Sequence, residues 1–243
     1  MGVTIFEHPS PNCEPRPQGV AIDTLVLHYT GMKTAKAALA RLCDPKAGVS
    51  AHYLIDEAGQ ITALVPEEAR AWHAGKACWQ GAENLNDRSI GVEIANPGHE
   101  FGYRPFPEAQ MAALEGLLLG ILARHTIAPA RVLGHSDIAP DRKEDPGELF
   151  DWQRLARAGI GRWPDNQRLN NQRPENTQPP PPIGKVQTML HQIGYAVPLT
   201  GQADAATEKV IAAFQRHFRP ARIDGVADGE TVARLRALLE GEA

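Results

Sequence analysis

One stretch of the chain concentrates groups that can do chemistry: Gly134-His135-Ser136-Asp137-Ile138-Ala139-Pro140-Asp141-Arg142-Lys143-Glu144-Asp145-Pro146-Gly147. It follows the apolar pair Val132-Leu133 and offers little to a hydrophobic core. A charged loop stiffened by two prolines at a strand end is where binding and catalytic groups usually sit. The plain alternative is a solvated loop whose charges pair among themselves. His135 and Asp145 are both ordinary zinc donors, and Lys143 could set an ammonium beside a polarised carbonyl. A third ligand is offered by His28, which ends the apolar run Thr24-Leu25-Val26-Leu27. A lone strand histidine is more often structural than functional. The ligand reading gains weight because His135 also ends a short apolar run, so neighbouring strands could bring the two together. Two histidines and one carboxylate leave a fourth position on zinc for water, the pattern of a catalytic site. Glu93 lies on the mostly apolar Ser89-Ile90-Gly91-Val92-Glu93-Ile94-Ala95. An ionised carboxylate there is costly unless it is hydrogen-bonded or near a cation, which makes Glu93 the candidate base.

The elements that must position these groups alternate in type. Thr24 to His28, Val49 to Asp56, Gln60 to Val65, Ser89 to Ala95 and residues 132–134 read as strands, the second and third joined by a hairpin-like turn at Glu57-Ala58-Gly59. Lys33 to Leu42, Pro107 to Arg124 and Trp152 to Ala158 read as helices, the longest with Met111, Leu114, Leu118 and Leu122 on one stripe. Strands alternating with helices predict an α/β class: a mixed central sheet flanked by helices.

Residues 1–163 form the first domain, and the composition then changes. Pro164 to Pro182 is Asn, Gln, Arg and Pro, too poor in apolar groups to fold alone, and reads as a semi-rigid linker. Residues 183–243 follow as a small three-helix module. Thr200-Gly201-Gln202-Ala203-Asp204 is echoed by Asp224-Gly225-Val226-Ala227-Asp228, each copy supplying a turn glycine and then an Asp suited to cap a helix. The chain of 243 residues has a net charge of −4 and a pI near 6.1, which argues against nucleic acid or an anionic membrane surface as partner. The cysteines Cys13, Cys43 and Cys78 show neither a disulfide framework nor zinc-binding spacing. No apolar run is long enough to insert in a membrane, and Met1 to Asp23 lacks the apolar segment of a signal peptide. The expected compartment is therefore the cytoplasm, with the periplasm or cell envelope as the alternative.

Five ordered motifs carry a family resemblance. Leu27-His28-Tyr29-Thr30-Gly31, Val49-Ser50-Ala51-His52-Tyr53-Leu54-Ile55, Ala71-Trp72-His73-Ala74-Gly75, Ser89-Ile90-Gly91-Val92-Glu93 and the loop from Gly134 to Gly147 resemble zinc-dependent N-acetylmuramoyl-L-alanine amidases, relatives of the peptidoglycan recognition proteins. The resemblance covers roughly residues 20–160. It implies Zn2+ held by His28, His135 and Asp145, Glu93 as general base, and Lys143 steadying the oxyanion. Tyr29, His52, Trp72 and His73 are expected to line the substrate cleft. The module after the linker resembles a peptidoglycan-binding domain more loosely, through Val186-Gln187, Gly194-Tyr195 and Phe214-Gln215.

The expected reaction is hydrolysis of the amide between N-acetylmuramic acid and L-alanine, in peptidoglycan or in soluble muropeptides including 1,6-anhydro forms. This places the protein in cell-wall turnover or recycling. Two other classes stay open: a recognition protein that binds peptidoglycan without cutting it, and an adaptor whose module docks another protein. A tethered module would raise the effective concentration of the cleft on a polymer; a module packed on the amidase domain would not.

Overall fold

The structure, a computed structural model, describes residues 4–164 and 181–241. Most of the expected linker, 164–182, lies outside those residues. Among the described residues ten strands run in chain order: β1 (Ile5–Glu7), β2 (Cys13–Pro15), β3 (Thr24–Tyr29), β4 (Tyr53–Ile55), β5 (Ile61–Ala63), β6 (Ala69–Ala71), β7 (Cys78–Trp79), β8 (Ala82–Glu83), β9 (Ser89–Ile94) and β10 (Val132–Gly134). Eight α-helices are described: α1 (Ala35–Leu42), α2 (Gly98–Phe101), α3 (Glu108–Arg124), α4 (His135–Ile138), α5 (Trp152–Arg157), α6 (Ile183–Ile193), α7 (Ala205–Phe218) and α8 (Gly229–Glu240).

Six strands form one sheet in the order β1-β5-β4-β9-β3-β10. Only β4 and β5 pair antiparallel; the other neighbours are parallel, so the class is mixed α/β as expected. Parallel strands need cover on both faces, and β3 shows how that is met. Leu25 and Leu27 face a cluster completed by Met111, Leu114, Leu118 and Ile121 of α3. Val26 points the other way, with Leu133 and Ile138, into a cluster completed by Leu190, Ile193 and Phe214 of the C-terminal module. The module therefore covers one face of the sheet. Between the two arrangements left open above, packing is the one observed.

Local chemistry explains the module's repeat. Asp204 Oδ1 accepts from Thr207 N (2.8 Å) and Asp228 Oδ1 from Thr231 N (3.0 Å), capping α7 and α8. Gln187 accepts from Gly201 N (2.8 Å) and donates to Gln202 O (2.9 Å); Gln215 does the same with Gly225 N (2.9 Å) and Val226 O (3.0 Å). Each buried glutamine thus pins one copy of the turn. α6 ends at Gly194, with φ of +133°, where a β-carbon would lie 2.6 Å from the Trp79 ring. Only glycine permits that approach between the two parts of the chain.

Several expected strands are shorter than their apolar runs. Val49 to Asp56 contributes only β4, and Gln60 to Val65 only β5. The segment after Gly134 opens with the helical turn α4 rather than a loop, because Asp137 Oδ2 accepts the Gly134 N–H at 2.7 Å and closes the turn.

Candidate active site

His28 and Glu93 are register partners on β3 and β9, so both project from the same face of the sheet at its carboxyl edge. β10 pairs Gly134 with Leu27, which delivers the next residue, His135, beside His28. The loop then returns Asp145, whose carbonyl accepts from Ser136 N at 2.9 Å. Three ligand atoms converge as a result. His28 Nδ1 and His135 Nδ1 are 3.0 Å apart, and each lies 3.1 Å from Asp145 Oδ2. All three residues are buried, and among the described residues they form a group able to hold a metal ion.

Hydrogen bonding settles which ring nitrogens are available. His135 Nε2 faces the Ala74 carbonyl at 3.0 Å, an acceptor only, so Nε2 carries the proton and Nδ1 the lone pair. Behind His28, Ser89 Oγ donates to Leu85 O (2.6 Å) and so accepts from His73 Nε2 (3.1 Å). His73 Nδ1 is then an acceptor and receives the proton on His28 Nε2, 3.0 Å away. Both ligand imidazoles thus turn bare Nδ1 atoms toward Asp145. Edges of 3.0–3.1 Å suit an ion bonded at roughly 2.0–2.2 Å to nitrogen and oxygen, with one position left open. The residues fit a catalytic metal.

Burial together with the His135 ring lowers His28 to about 4, so it stays neutral. Burial alone would raise Asp145, but the adjoining His135 and His28 overrule it and hold the carboxyl well below its usual range. Glu93 moves the opposite way: burial and the Asp145 charge raise it well above an ordinary glutamate, with Lys143 opposing. Its Oε2 is buried and has no hydrogen-bond partner among the described residues. A carboxyl so raised is suited to move protons near neutral pH.

A cavity of about 310 Å³ opens over these groups, lined also by Tyr29, Trp72 and Lys143. Tyr29 Oη lies 3.1 Å from His99 Nδ1, and burial pushes its phenol up to about 12. Trp72 is held at the rim by Glu14, which accepts from its Nε1 at 3.1 Å. The expected cleft role fails for His52, which is fully buried and lines none of the cavities described. Its Nδ1 accepts from Gly91 N (3.0 Å), and Arg16 Nη2 lies 3.0 Å from its Nε2. His73 does line the cavity, and both its ring nitrogens are engaged there, Nδ1 by His28 and Nε2 by Ser89. A β-carbon at Gly91 would collide with the His73 ring, so the bare strand position makes room for it. Arg142 was not singled out from sequence, yet it donates to Ala74 O (2.6 Å), the carbonyl that orients His135. Its signal was only a second cation next to Lys143.

His52 carries a pH prediction. Burial and the Arg16 cation lower it to about 3. A depressed histidine contributes stability above its unfolded pKa of about 6.5 and loses it as pH falls toward the folded value. The metal-free chain should therefore lose about 1.4 kcal/mol per pH unit from this residue below pH ~6.5. Melting temperatures from pH 7 to 4.5 check this; a flat profile in that window contradicts it.

The family model described as N-acetylmuramoyl-L-alanine amidase matches residues 18–148, and one for a peptidoglycan binding domain matches residues 180–235. N-acetylmuramoyl-L-alanine amidase AmiD of Escherichia coli K12 is 43% identical over 234 residues, spanning 90% of this chain and 83% of that protein. 1,6-Anhydro-N-acetylmuramyl-L-alanine amidase AmpD of Haemophilus influenzae is 36% identical over 163 residues, spanning 60% of this chain and 86% of that protein. Among solved structures, AmiD from E. coli with the substrate anhydro-N-acetylmuramic acid-L-Ala-D-gamma-Glu-L-Lys superposes with a TM-score of 0.83 at 41% identity, covering 93% of this chain and 92% of that one. AmpDh3 from Pseudomonas aeruginosa with anhydromuramic pentapeptide gives a TM-score of 0.83 at 38% identity, covering 91% and 92%.

Proposed function

The chain belongs to the N-acetylmuramoyl-L-alanine amidase family, and from that premise we propose that it cuts the lactyl–L-alanine amide of muropeptides, 1,6-anhydro forms included, with zinc at His28, His135 and Asp145. The observation that carries this reading is the convergence of three ligand atoms beside an unpartnered Glu93 carboxylate oxygen in one cavity. Two imidazoles and one carboxylate with an open position suit zinc better than magnesium or calcium, which prefer all-oxygen shells. When bound, the zinc polarises the amide carbonyl and lowers the pKa of a water.

The remaining steps belong to side chains. Glu93 Oε2 takes the proton of the attacking water and returns it to the leaving L-alanine nitrogen. Lys143 supplies a positive charge where the carbonyl oxygen becomes negative. His73 and Ala74 O hold the ligand rings so that neither turns away as charge develops. Tyr29 and Trp72 bound the space for sugar and peptide.

Incubating the full chain with soluble anhydromuropeptide and identifying products by mass tests the proposal. Free L-alanine-terminated peptide plus intact anhydro-sugar is the expected result. Stoichiometric binding with no release would favour the recognition reading instead. Lys143→Ala should lower kcat by about 10²-fold with KM little changed, because the ammonium acts on charge present only in the transition state. A rise in KM alone would make Lys143 a binding group.

A further inference from the structure

Both His135 and Asp145 sit at the ends of one segment, and the C-terminal module grips that segment along its length. Lys209 Nζ donates to Asp141 O at 3.2 Å and Arg216 Nη2 to Glu144 Oε1 at 2.8 Å. The strongest grip is on Asp137, two residues past the ligand histidine and buried to 1% exposure. Tyr195 Oη donates to its Oδ1 at 2.6 Å, and His217 Nδ1 to its Oδ2 at 2.7 Å. Oδ2 also receives Gly134 N at 2.7 Å, the bond that closes the turn from β10 into α4 and so aims His135.

The two donors are themselves fixed. The Tyr195 ring meets Trp79 edge-on with centroids 4.9 Å apart. The His217 ring is stacked between Trp152 (3.7 Å) and Phe218 (3.9 Å). Burial and the adjoining Asp137 raise the Tyr195 phenol well above its usual value, so it stays a donor. A buried carboxylate stripped of such donors is strongly disfavoured. It would swing toward water, release Gly134 N and let the turn that carries His135 relax.

We propose that Asp137 is a positioning residue for the metal site, held by Tyr195 and His217, so that the C-terminal module braces the amidase centre from behind. The module's role is then internal as well as any it has toward the wall. This rests on the metal-amidase reading above, and the test separates the two.

Tyr195→Phe removes one oxygen at constant shape. His217→Phe keeps an aromatic ring for stacking but loses the donor, whereas His217→Asn keeps a side-chain N–H near the Nδ1 position and loses the ring. Each is made in the full chain. Metal retention is measured by chelator competition, ligand geometry by the absorption spectrum of the cobalt(II)-substituted protein, and kcat and KM on soluble anhydromuropeptide. Tyr195→Phe and His217→Phe should each weaken metal retention by roughly 10-fold, the lower end for groups that orient a ligand, shift the cobalt spectrum and lower kcat at similar KM. His217→Asn should recover metal retention relative to His217→Phe. If the phenylalanine variants melt lower but keep parental metal retention and spectrum, the contacts are packing only and the brace is overturned. A parent chain that retains metal yet releases no peptide overturns the amidase reading, while the metal and spectral readouts still judge the brace. A parent chain that retains no metal overturns both.

Discussion

Replacing His28, His135 or Asp145 by alanine is expected to abolish turnover and to weaken metal retention by well over 10-fold. The reason is geometric. Each residue supplies one corner of a triangle with edges of 3.0–3.1 Å, and two donors cannot hold an ion with a position still open for water. Asp145→Ala should show an additional effect on the empty site. It removes the carboxylate oxygen that crowds two bare Nδ1 atoms, so repulsion within the metal-free site is relieved. Metal content after dialysis, read beside product formation, checks all three. Full metal and full rate in any one of them would show that the ion is held elsewhere.

Glu93→Gln separates proton transfer from metal binding. The substitution preserves shape and keeps the cavity, but an amide cannot take a proton from water, so a loss of about 10²–10⁴ in kcat is expected. Metal content should stay at the parental level, because Glu93 is not among the three converging ligands. The melting temperature should not fall. Glu93 Oε2 is buried without a partner and its ionised form is penalised by burial and by Asp145, so a neutral side chain relieves a cost that function imposes. Loss of metal from this variant would place Glu93 among the ligands.

Much of this centre was legible in the chain because its chemistry is local to strand ends. An apolar run stopping at His28, another stopping before His135 and a lone acid on a third marked the candidates, and the family resemblance joined them into one site. Less legible was what surrounds them. His52 and His73 stand in motifs as prominent as that of His28, and nothing in residue type distinguishes a histidine in a cleft from one buried behind it. Gly91 was the available clue: a glycine in an apolar strand two residues before Glu93 marks close approach by another group, here the His73 ring. The short strands β1, β2 and β6 to β8 escaped because pairing, not periodicity, defines elements of two or three residues. Docking of the module stayed one of two open alternatives for a related reason. Helical spacing of Val186, Leu190 and Ile193 shows that a face is buried; it does not say against what. Asp137 read as one charge among several on a loop, since its donors Tyr195 and His217 lie far along the chain.

The ring contacts around Trp79, Trp152 and Trp163 give the chain a built-in optical readout. Trp79 meets Tyr195, Trp152 lies under His217, and Trp163 approaches Phe218 and the Arg234 guanidinium. The fourth indole, Trp72, stands at the cavity mouth. Indole emission is sensitive to such neighbours, so one intrinsic signal divides into two addresses, three indoles at the seam between the parts and one at the substrate entrance. With Trp72 replaced by phenylalanine, emission reports attachment of the module alone. With the three seam indoles replaced, it reports occupancy of the cleft, and no dye need be attached for either.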